Sequence, residues 1–523
     1  MVNKPGLRAR LGRVALWGGV GLAGGLVAMG GLGLARHLPS FVRQAPTGPK
    51  LEDAVPEAEA AAPAPVTWSS PPPAPAAPDG PLRFIAIGGG YTPESNQVSL
   101  EQDIELIQRT VPGPGRVLFA GGGASPTVRE LDPAPRGDPV ELALGQLILP
   151  RESRNSHYRA PRFEAEPATE TNVHAALSAA LDAGGPPLLL YIAAHGSRGS
   201  EPKENAVALW GDGHLSVAQL DELHQEKPRP LRLVVTSCFS GGFADLAFWH
   251  AEAHLGLRSR VPRCGLFAGT SDRGTSGCDP NPDRQAQESY GLHMAHALSG
   301  TRRDGTPLPR ELADFNHDGT IGLLDAHTWA RIEANSIDVP TTTSERWLEH
   351  HAALGRTAID PQLLPEDMAV VERLGAALGL SDERAARSRW AELRGEIATL
   401  SDQIASAEAQ LDVDTSVEIA ALLERWPVLD DPLHPDFDVT LRENRGAIEQ
   451  LLSSSPEARA RDVINLRLRV LNELLNRAWV TEARVFRVVR AYETMQRAAA
   501  LMKSGGAAAR HYQALLACER AAL

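Results

Sequence analysis

The chain has 523 residues, more than one hydrophobic core usually organises, so we expect two folded domains and some unpaired segments. Its 43% hydrophobic and 22% charged residues are typical of globular proteins, whereas its 40 prolines and 5% aromatic residues predict that part of it is unstructured. A net charge of −13 argues against a nucleic-acid binder. Four cysteines are too few for a disulfide scaffold and lack the spacing of a zinc site.

The first 81 residues predict a membrane anchor and a tether. Residues 1–13 form a short basic N-terminus. Residues 14–35 carry no charge and are long enough to cross a bilayer as a helix. Because glycines in that run weaken its helix propensity, a cleavable signal sequence is the alternative, and its cleavage would make the protein secreted. We favour the uncleaved, single-pass anchor with the rest of the chain exported. Residues 36–81 are rich in Pro and Ala and predict an extended linker.

Residues 82–340 predict an α/β domain. Apolar runs at 83–89, 116–122, 187–196, 231–238 and 264–270 each resemble a buried strand that ends in small residues. Helical patterns lie between them at 100–109, 171–183, 216–224 and 285–298. Strands that alternate with helices indicate a mostly parallel sheet flanked by helices, with reactive groups beyond the carboxyl ends of the strands.

Residues 341–523 predict an all-α domain. Apolar residues from Ala386 to Leu411 recur at intervals of four and three, which is a short heptad seam. A second long helix begins near Ser455 and Pro456, a capping residue followed by a first-turn proline. Because the heptads are few, an antiparallel hairpin within the chain is favoured over an intermolecular coiled coil. Binding of a protein partner or self-association through this domain stays open.

Two strand ends carry a reactive pair. His195 follows one apolar run and Cys238 follows the next, so neighbouring parallel strands would bring both to one edge of the sheet. An imidazole beside a thiol can make it a good nucleophile and later deliver a proton to the leaving amine. The amides of Gly196 and Cys238 are the predicted oxyanion donors. The alternative is a buried packing cysteine and a structural histidine.

These motifs resemble the clan of caspases, metacaspases, gingipains and legumains, and the legumain-type (C13) branch most closely. HGSRG at 195–199, SCFSGGF at 237–243 and FAGTSDRGTSGCDP at 267–280 are similar, in order, to its His motif, Cys motif and pocket loop. The resemblance implies a caspase-like fold and a Cys–His dyad that cleaves peptide bonds through an acyl-enzyme. It also implies that a helical C-terminal region can cover the cleft.

Two aspartates are candidates for the residue that sets the specificity of such a pocket. Residues 96–99, which match the loop that carries an Arg in legumains and caspases, have no basic residue. Asp272 or Asp279 on the later loop would instead attract a basic side chain, with Ser237 beside the nucleophile. Either aspartate also suits a turn.

Residues 314–325 fit a twelve-residue calcium loop with a glycine at its sixth position. Ca²⁺ is the one cofactor that we expect, and none is needed for catalysis. A metal-free turn that caps the following helix is the alternative. The ligands would be Asp314, Asn316, Asp318, the backbone of Thr320, and Asp325.

Cys264 and Cys278 flank the pocket loop, and the sequence leaves open whether they form a disulfide or stay two buried thiols; Cys518 has no evident role. The leading hypothesis is a membrane-anchored cysteine endopeptidase that acts on a protein or peptide. The alternatives are an inactive caspase-like scaffold or binding protein, and a transpeptidase whose acyl-enzyme is intercepted by an amine.

Overall fold

The computed structural model describes residues 81–123, 125–131, 138–148, 156–355, 358–431 and 433–523. The predicted membrane helix at 14–35, and the linker as far as residue 80, lie outside these ranges. Within the described ranges, no helix combines the length and the apolar character needed to cross a membrane.

The strands of the described chain form a central sheet and two small ones. The central sheet has six strands in the order β11-β10-β9-β5-β1-β2, and all its neighbours are parallel except β10 and β11. The mostly parallel α/β sheet predicted from the sequence is confirmed. In chain order the strands are β1 (Phe84–Gly89), β2 (Gly115–Phe119), β3 (Val128–Leu131), β4 (Ser156–Arg159), β5 (Leu188–Ala194), β6 (Gly196–Ser197), β7 (Ala206–Ala208), β8 (His214–Ser216), β9 (Leu231–Val235), β10 (Arg263–Phe267) and β11 (Thr341–Thr342).

Helices cover both faces of this sheet and continue to the end of the chain. They are α1 (Val98–Thr110), α2 (Pro139–Ile148), α3 (Glu170–Asp182), α4 (Val217–His224), α5 (Tyr290–Leu298), α6 (Arg310–Ala313), α7 (Leu323–Glu333), α8 (Thr343–His351), α9 (Pro365–Ala369), α10 (Glu383–Arg425), α11 (Phe437–Glu443), α12 (Arg445–Ser454), α13 (Pro456–Ser504) and α14 (Gly506–Arg520). The helix predicted at 285–298 begins later, at Tyr290, because the hydroxyl of Ser289 caps it.

The inner strands are apolar throughout because they are covered on both faces. Every residue of β1 and β5 is buried. Successive side chains point to opposite faces, so Phe84 and Ala86 join one hydrophobic cluster whereas Ile85 and Ile87 join another. Helices α1, α5 and α7 pack in the first cluster, and α3 and α4 pack in the second.

Helices α10 and α13 form a long antiparallel hairpin. Trp390 near the start of α10 stacks on Phe486 with ring centroids 4.4 Å apart, and Glu418 near its end pairs with Arg461. Ser455 caps α13 as predicted, because its hydroxyl accepts from the amide of Ala458 at 3.0 Å. The predicted seam is confirmed, with buried side chains at Ala386, Leu393, Ile397, Leu400, Ile404 and Ala407.

The helical part shares a core with the sheet. Val488 and Leu501 of α13, and Tyr512 of α14, belong to the same hydrophobic cluster as Leu266 and Ala268 beside β10. A buried arginine, Arg487, also donates to main-chain carbonyl oxygens that follow α7. The second half of α13 is therefore packed onto the sheet layer, whereas the first half extends away with α10.

Candidate active site

His195 and Cys238 lie beyond the carboxyl ends of two neighbouring strands. His195 directly follows β5, and Cys238 lies three residues after the end of β9. These strands are parallel, with Ile192 level with Val235. The amide of Thr236 donates to the Ile192 carbonyl oxygen at 2.9 Å, which extends the pairing past the strand. Both residues therefore leave the sheet at the same edge.

Gly196 packs directly against the main chain of Cys238. A Cβ atom at position 196 would lie 2.0 Å from the Cys238 carbonyl oxygen and 3.1 Å from its amide nitrogen. Because no side chain fits in that space, this approach requires glycine. The two residues whose amides are the predicted oxyanion donors are thus in main-chain contact.

The imidazole of His195 is held by the loop that follows β1. Its Nε2 lies 2.8 Å from the Ser95 carbonyl oxygen and 3.1 Å from Oε1 of Gln97. Because a carbonyl oxygen can only accept, Nε2 carries the proton and Nδ1 keeps its lone pair. Burial lowers the pKa of His195, and the Ser95 carbonyl opposes that shift in part. The resting imidazole is therefore neutral, with Nδ1 as its basic nitrogen.

Nδ1 of His195 faces a different thiol from the one that the sequence suggested. The Sγ atom of Cys278 lies 3.6 Å from it. Burial raises the pKa of Cys278 to about 12, and the Asp103 carboxylate acts in the same direction. A thiol with that pKa stays protonated at neutral pH and can donate its S–H to the imidazole. Sequence reasoning missed this contact because it depends on the path of a loop.

The sulfur of Cys238 is covered by Thr275. The amide of Thr275 donates to Sγ at 3.2 Å, and the Thr275 hydroxyl lies 3.6 Å from the same atom. Burial raises the pKa of Cys238, the neighbouring Cys278 acts in the same direction, and the Thr275 amide lowers the pKa in part. In this conformation Cys238 is therefore a thiol, and not a thiolate, at neutral pH.

Thr275 and Cys278 belong to one loop, residues 270–279, which we call the strap. Its Arg273 forms an ion pair with Glu482 of α13, in which Nη1 lies 3.1 Å from Oε1. Glu482 also accepts from the indole N–H of Trp390 at 2.7 Å. The helical hairpin thus holds one side of the strap in place.

The other side of the strap is tied to the buried residue Asp338. The amide and hydroxyl of Ser276 donate to its Oδ1 at 2.6 and 2.9 Å, and the amide of Tyr290 donates to Oδ2 at 2.6 Å. Arg487 of α13 donates to the main-chain carbonyl oxygen of Asp338 at 2.7 Å. The strap therefore depends on α13 at two points.

A small cavity lies between the strap, α1 and the ends of β5 and β9. Sequence reasoning missed Asp103, which lies on the buried face of α1 beside Ile104 and pairs with Arg284. An acid on the apolar face of a helix is a signal that could have identified it. The lining residues are Leu100, Asp103, Ala194, Thr236, Ser237, Cys238, Thr275, Ser276, Gly277, Cys278 and Ser289.

Of the three predicted pocket residues, Ser237 alone lines this cavity. Its buried hydroxyl has no hydrogen-bond partner among the described residues. Asp272 is exposed and accepts from the hydroxyl of Thr270 at 2.7 Å. Asp279 is buried at the end of the strap, where Oδ1 accepts from the amide of Asn281 at 2.9 Å. Burial raises the pKa of Asp279 to about 6.

The disulfide considered between Cys264 and Cys278 is wrong, because Cys264 is bonded to Cys518. Their Cα atoms lie 6.1 Å apart, and 254 residues separate them in the sequence. Cys264 lies in β10, and Cys518 lies on α14, which packs against that strand in the shared core. Cys278 is a free thiol. Spacing does not determine which cysteines pair, so the sequence could not distinguish these arrangements.

The predicted calcium loop closes on itself through hydrogen bonds. Asp314 accepts from the amides of Asp318 and Gly319, and Asp318 accepts from the amide and hydroxyl of Thr320. Asn316 accepts from the amide of Asp318 at 2.9 Å. The described residues contain no group of three or more His, Cys, Asp or Glu side chains arranged to hold a metal ion.

The last predicted ligand, Asp325, is committed to the start of α7. Its two carboxylate oxygens accept from the amides of Phe315 and Gly322 at 2.9 and 3.0 Å. Burial raises the pKa of Asp325 to about 6. The carboxylate thus closes the loop and caps α7, as the metal-free alternative expects, and calcium binding stays a prediction.

No protein-family model matches the chain, and no curated protein is similar to it.

Proposed function

We propose that the chain is a cysteine endopeptidase in which Cys238 is the nucleophile and His195 is its acid and base. One observation carries the proposal: the two residues leave adjacent parallel strands at one edge and meet through the main-chain contact of Gly196 with Cys238. Reactive groups of parallel sheets gather at this edge. The caspase- and legumain-like motifs of the sequence agree with the same pair.

The chemistry follows from the orientation of the imidazole. With Nε2–H donated to Ser95, Nδ1 can take the proton of the Cys238 thiol. The thiolate attacks the peptide carbonyl carbon, and amides of Gly196 and Cys238 would stabilise the oxyanion. The imidazolium then protonates the leaving amine as the C–N bond breaks. Water, deprotonated by the same nitrogen, hydrolyses the thioester and regenerates the thiol.

We propose further that the described conformation is a closed, resting form. Cys278 stands at the nitrogen that must reach Cys238, and Thr275 covers the sulfur. A peptide could reach the thiol only after the strap moves. Outward movement would hydrate Cys238, lower its pKa and clear Nδ1.

A second assignment has its own support. Because Cys278 is the thiol 3.6 Å from Nδ1, it could be the nucleophile in place of Cys238. The two cysteines face different surroundings, so single substitutions distinguish them. If neither thiol supports cleavage, the caspase-like scaffold without activity is the better interpretation.

The test is a digest of a diverse peptide library by the full chain. Cys238→Ala and His195→Ala should each lower the cleavage rate by at least about 10³-fold, whereas Cys278→Ala should retain or raise it. Loss of cleavage in Cys278→Ala alone would reassign the nucleophile. Absence of cleavage by both the parent and a Glu482→Gln variant that frees the strap would contradict the enzyme proposal. Product masses with an added amine separate hydrolysis from transpeptidation.

We also propose that the described domain is exported and anchored through residues 14–35. The Cys264–Cys518 disulfide supports this location, because such bonds persist in oxidising compartments. In cells whose outer envelope has been opened but whose plasma membrane is intact, added protease should digest the chain. Digestion only after the plasma membrane is lysed would contradict export.

A further inference from the structure

The outer half of the helical hairpin carries apolar side chains that the described chain leaves uncovered. Six of them, two on α10 and four on α13, each expose between 44 and 66% of their surface. Single exposed apolar residues are ordinary, but a continuous patch marks an interaction surface. We call these six residues the distal face: Val413, Val417, Val463, Leu466, Val470 and Leu474.

The six residues lie on one side of the hairpin. On α13 they follow intervals of three and four, which keeps them in one stripe about a third of a turn from the buried seam of Leu468 and Leu471. On α10, Val413 and Val417 are rotated from the seam of Ile404 and Ala407 by a similar angle in the same sense. Because the helices are antiparallel, equal rotations bring both stripes to the same side.

The other side of this end of the hairpin is covered by the chain itself. Leu422 of α10 packs with Leu144 of α2 and Ile448 of α12 in a separate hydrophobic cluster. Ala458 of α13 is fully buried at the same end. One flank of the hairpin is therefore completed internally, whereas the flank with the distal face is not.

We propose that the distal face binds the distal face of a second copy and forms a four-helix bundle. The Glu418–Arg461 ion pair sets the relative height of the helices, so that Val417 is about level with Val463 and Val413 with Leu466. A two-fold axis parallel to the hairpin places α10 of each copy against α13 of the other at unchanged height.

In that pairing Val417 meets Val463 of the second copy, and Val413 meets Leu466 of the second copy. Every neighbouring pair of helices is antiparallel, as in an up-down-up-down bundle. In these two pairs apolar residues therefore face apolar residues across the interface without any shift along the axis. This self-complementarity favours a second copy over an unrelated partner.

The charges beside the distal face and its exposed area both support a second copy as the partner. Asp414 on α10 and Arg467 on α13 border the distal face, and neither forms an ion pair within the described chain. The two-fold pairing brings each within about one helical turn of the other across the interface. The six side chains expose on the order of 500 Å² per copy, so a pair approaches the lower limit of specific interfaces before its polar rim is counted.

The test is the mass of the full chain by sedimentation in a density-matched nonionic detergent, which keeps residues 14–35 dispersed. The parent should be a dimer at micromolar concentration, and Val463→Glu with Val470→Glu should weaken dimerisation at least about 100-fold. Leu257→Glu, at a position 57% exposed outside the hairpin, is the matched control and should remain a dimer. Circular dichroism checks that each variant keeps its helices.

A charge exchange provides an independent variant. Asp414→Arg should weaken the dimer, and adding Arg467→Asp should restore it. A monomeric parent would overturn the proposal and leave the face to another protein or to a segment outside the described residues. A dimer that survives both the glutamate and the charge variants would also overturn it, because association would then occur elsewhere.

Discussion

Polar side chains are usually exposed and apolar side chains are usually buried, and two regions of the molecule depart from this rule. The edge of the sheet buries titratable groups, whereas the outer end of the hairpin exposes apolar ones. At the edge, His195, Cys238, Cys278 and Asp103 are withdrawn from water although they can titrate. At the outer hairpin, valine and leucine side chains are exposed although they gain by burial. Buried polar groups and exposed apolar groups both cost free energy, so each region indicates an interaction that is incomplete.

Helix α13 connects the two regions. Its second half holds the strap through Glu482 and supports Asp338 through Arg487, whereas its first half carries most of the distal face. The difference shows how one helix can serve two purposes: it is fixed where it meets the sheet and open where it projects. If the two halves differ in this way, substitutions in each half should have unequal effects.

The largest expected effect is at Arg487. Arg487→Leu leaves the carbonyl oxygens of Ala334, Ser336 and Asp338 without their donor, and should lower the free energy of unfolding by about 3–5 kcal/mol. Arg469→Leu, on the exposed first half of α13, is the control and should change it by less than about 0.5 kcal/mol. Urea unfolding measures both. Equal effects would mean that the two halves are equally anchored.

Removing the disulfide should weaken the attachment of α14 to the sheet. Cys518→Ser should lower the free energy of unfolding by about 2–4 kcal/mol. Thermal unfolding with and without a reductant provides the control, because a reductant should destabilise the parent and leave the variant unchanged. A parent that does not respond to reductant under unfolding conditions would contradict the bond.

Freeing the strap should expose Cys238, the proposed nucleophile. Glu482→Gln weakens the ion pair with Arg273 and should raise the rate of Cys238 alkylation by iodoacetamide about tenfold. Glu473→Gln is the matched control, because it breaks an exposed ion pair with Arg477 on the same helix. Mass spectrometry of the peptide that contains Cys238 measures each rate. Identical rates in all three proteins would exclude the strap as a barrier.

The pH dependence of the same reaction reports the thiol directly. Only the thiolate is alkylated, so a pKa raised by burial and by Cys278 shifts the midpoint of the rate profile above the ordinary value of about 8.5. Less thiolate is then present at neutral pH, and the rate keeps rising into alkaline solution. In Glu482→Gln the midpoint should move down. A parent midpoint well below 8 would mean that an ion pair with His195 already exists.

Calcium should have the smallest effect. If the loop at 314–325 binds Ca²⁺, millimolar calcium should raise the thermal midpoint of the parent by a few degrees. Asp318→Asn removes a predicted ligand charge while keeping a side-chain oxygen for Thr320, and should abolish that increase. Magnesium is the ion control. No shift in the parent would assign the loop to capping α7 alone.

Much of this arrangement could be predicted from local sequence patterns. Continuous apolar runs identified β1, β5 and β9, because a strand that is buried on both faces is apolar along nearly its whole length. The position of His195 and Cys238 at one edge followed from that reading. The seam from Ala386 to Ala407 could be predicted equally well, because the helical period of apolar residues can be recognised within a short stretch of sequence.

The partners of those residues could not be predicted in the same way. Ser95 meets His195 across 100 residues, and Cys518 meets Cys264 across 254. Neither leaves a periodic signal, because a loop's path and a helix's docking depend on the whole core.

The sequence by itself determined the five parallel strands of the central sheet and the two long helices α10 and α13, and it showed which strand ends carry a thiol and an imidazole. Tertiary structure alone decided that Cys278 stands at the imidazole, that Thr275 covers Cys238, and that the apolar residues of two helices lie on one side. The physical reason is the distance along the chain over which each kind of signal acts. Burial and periodicity act between neighbours along the chain, whereas contacts across loops exist only after the layers have packed.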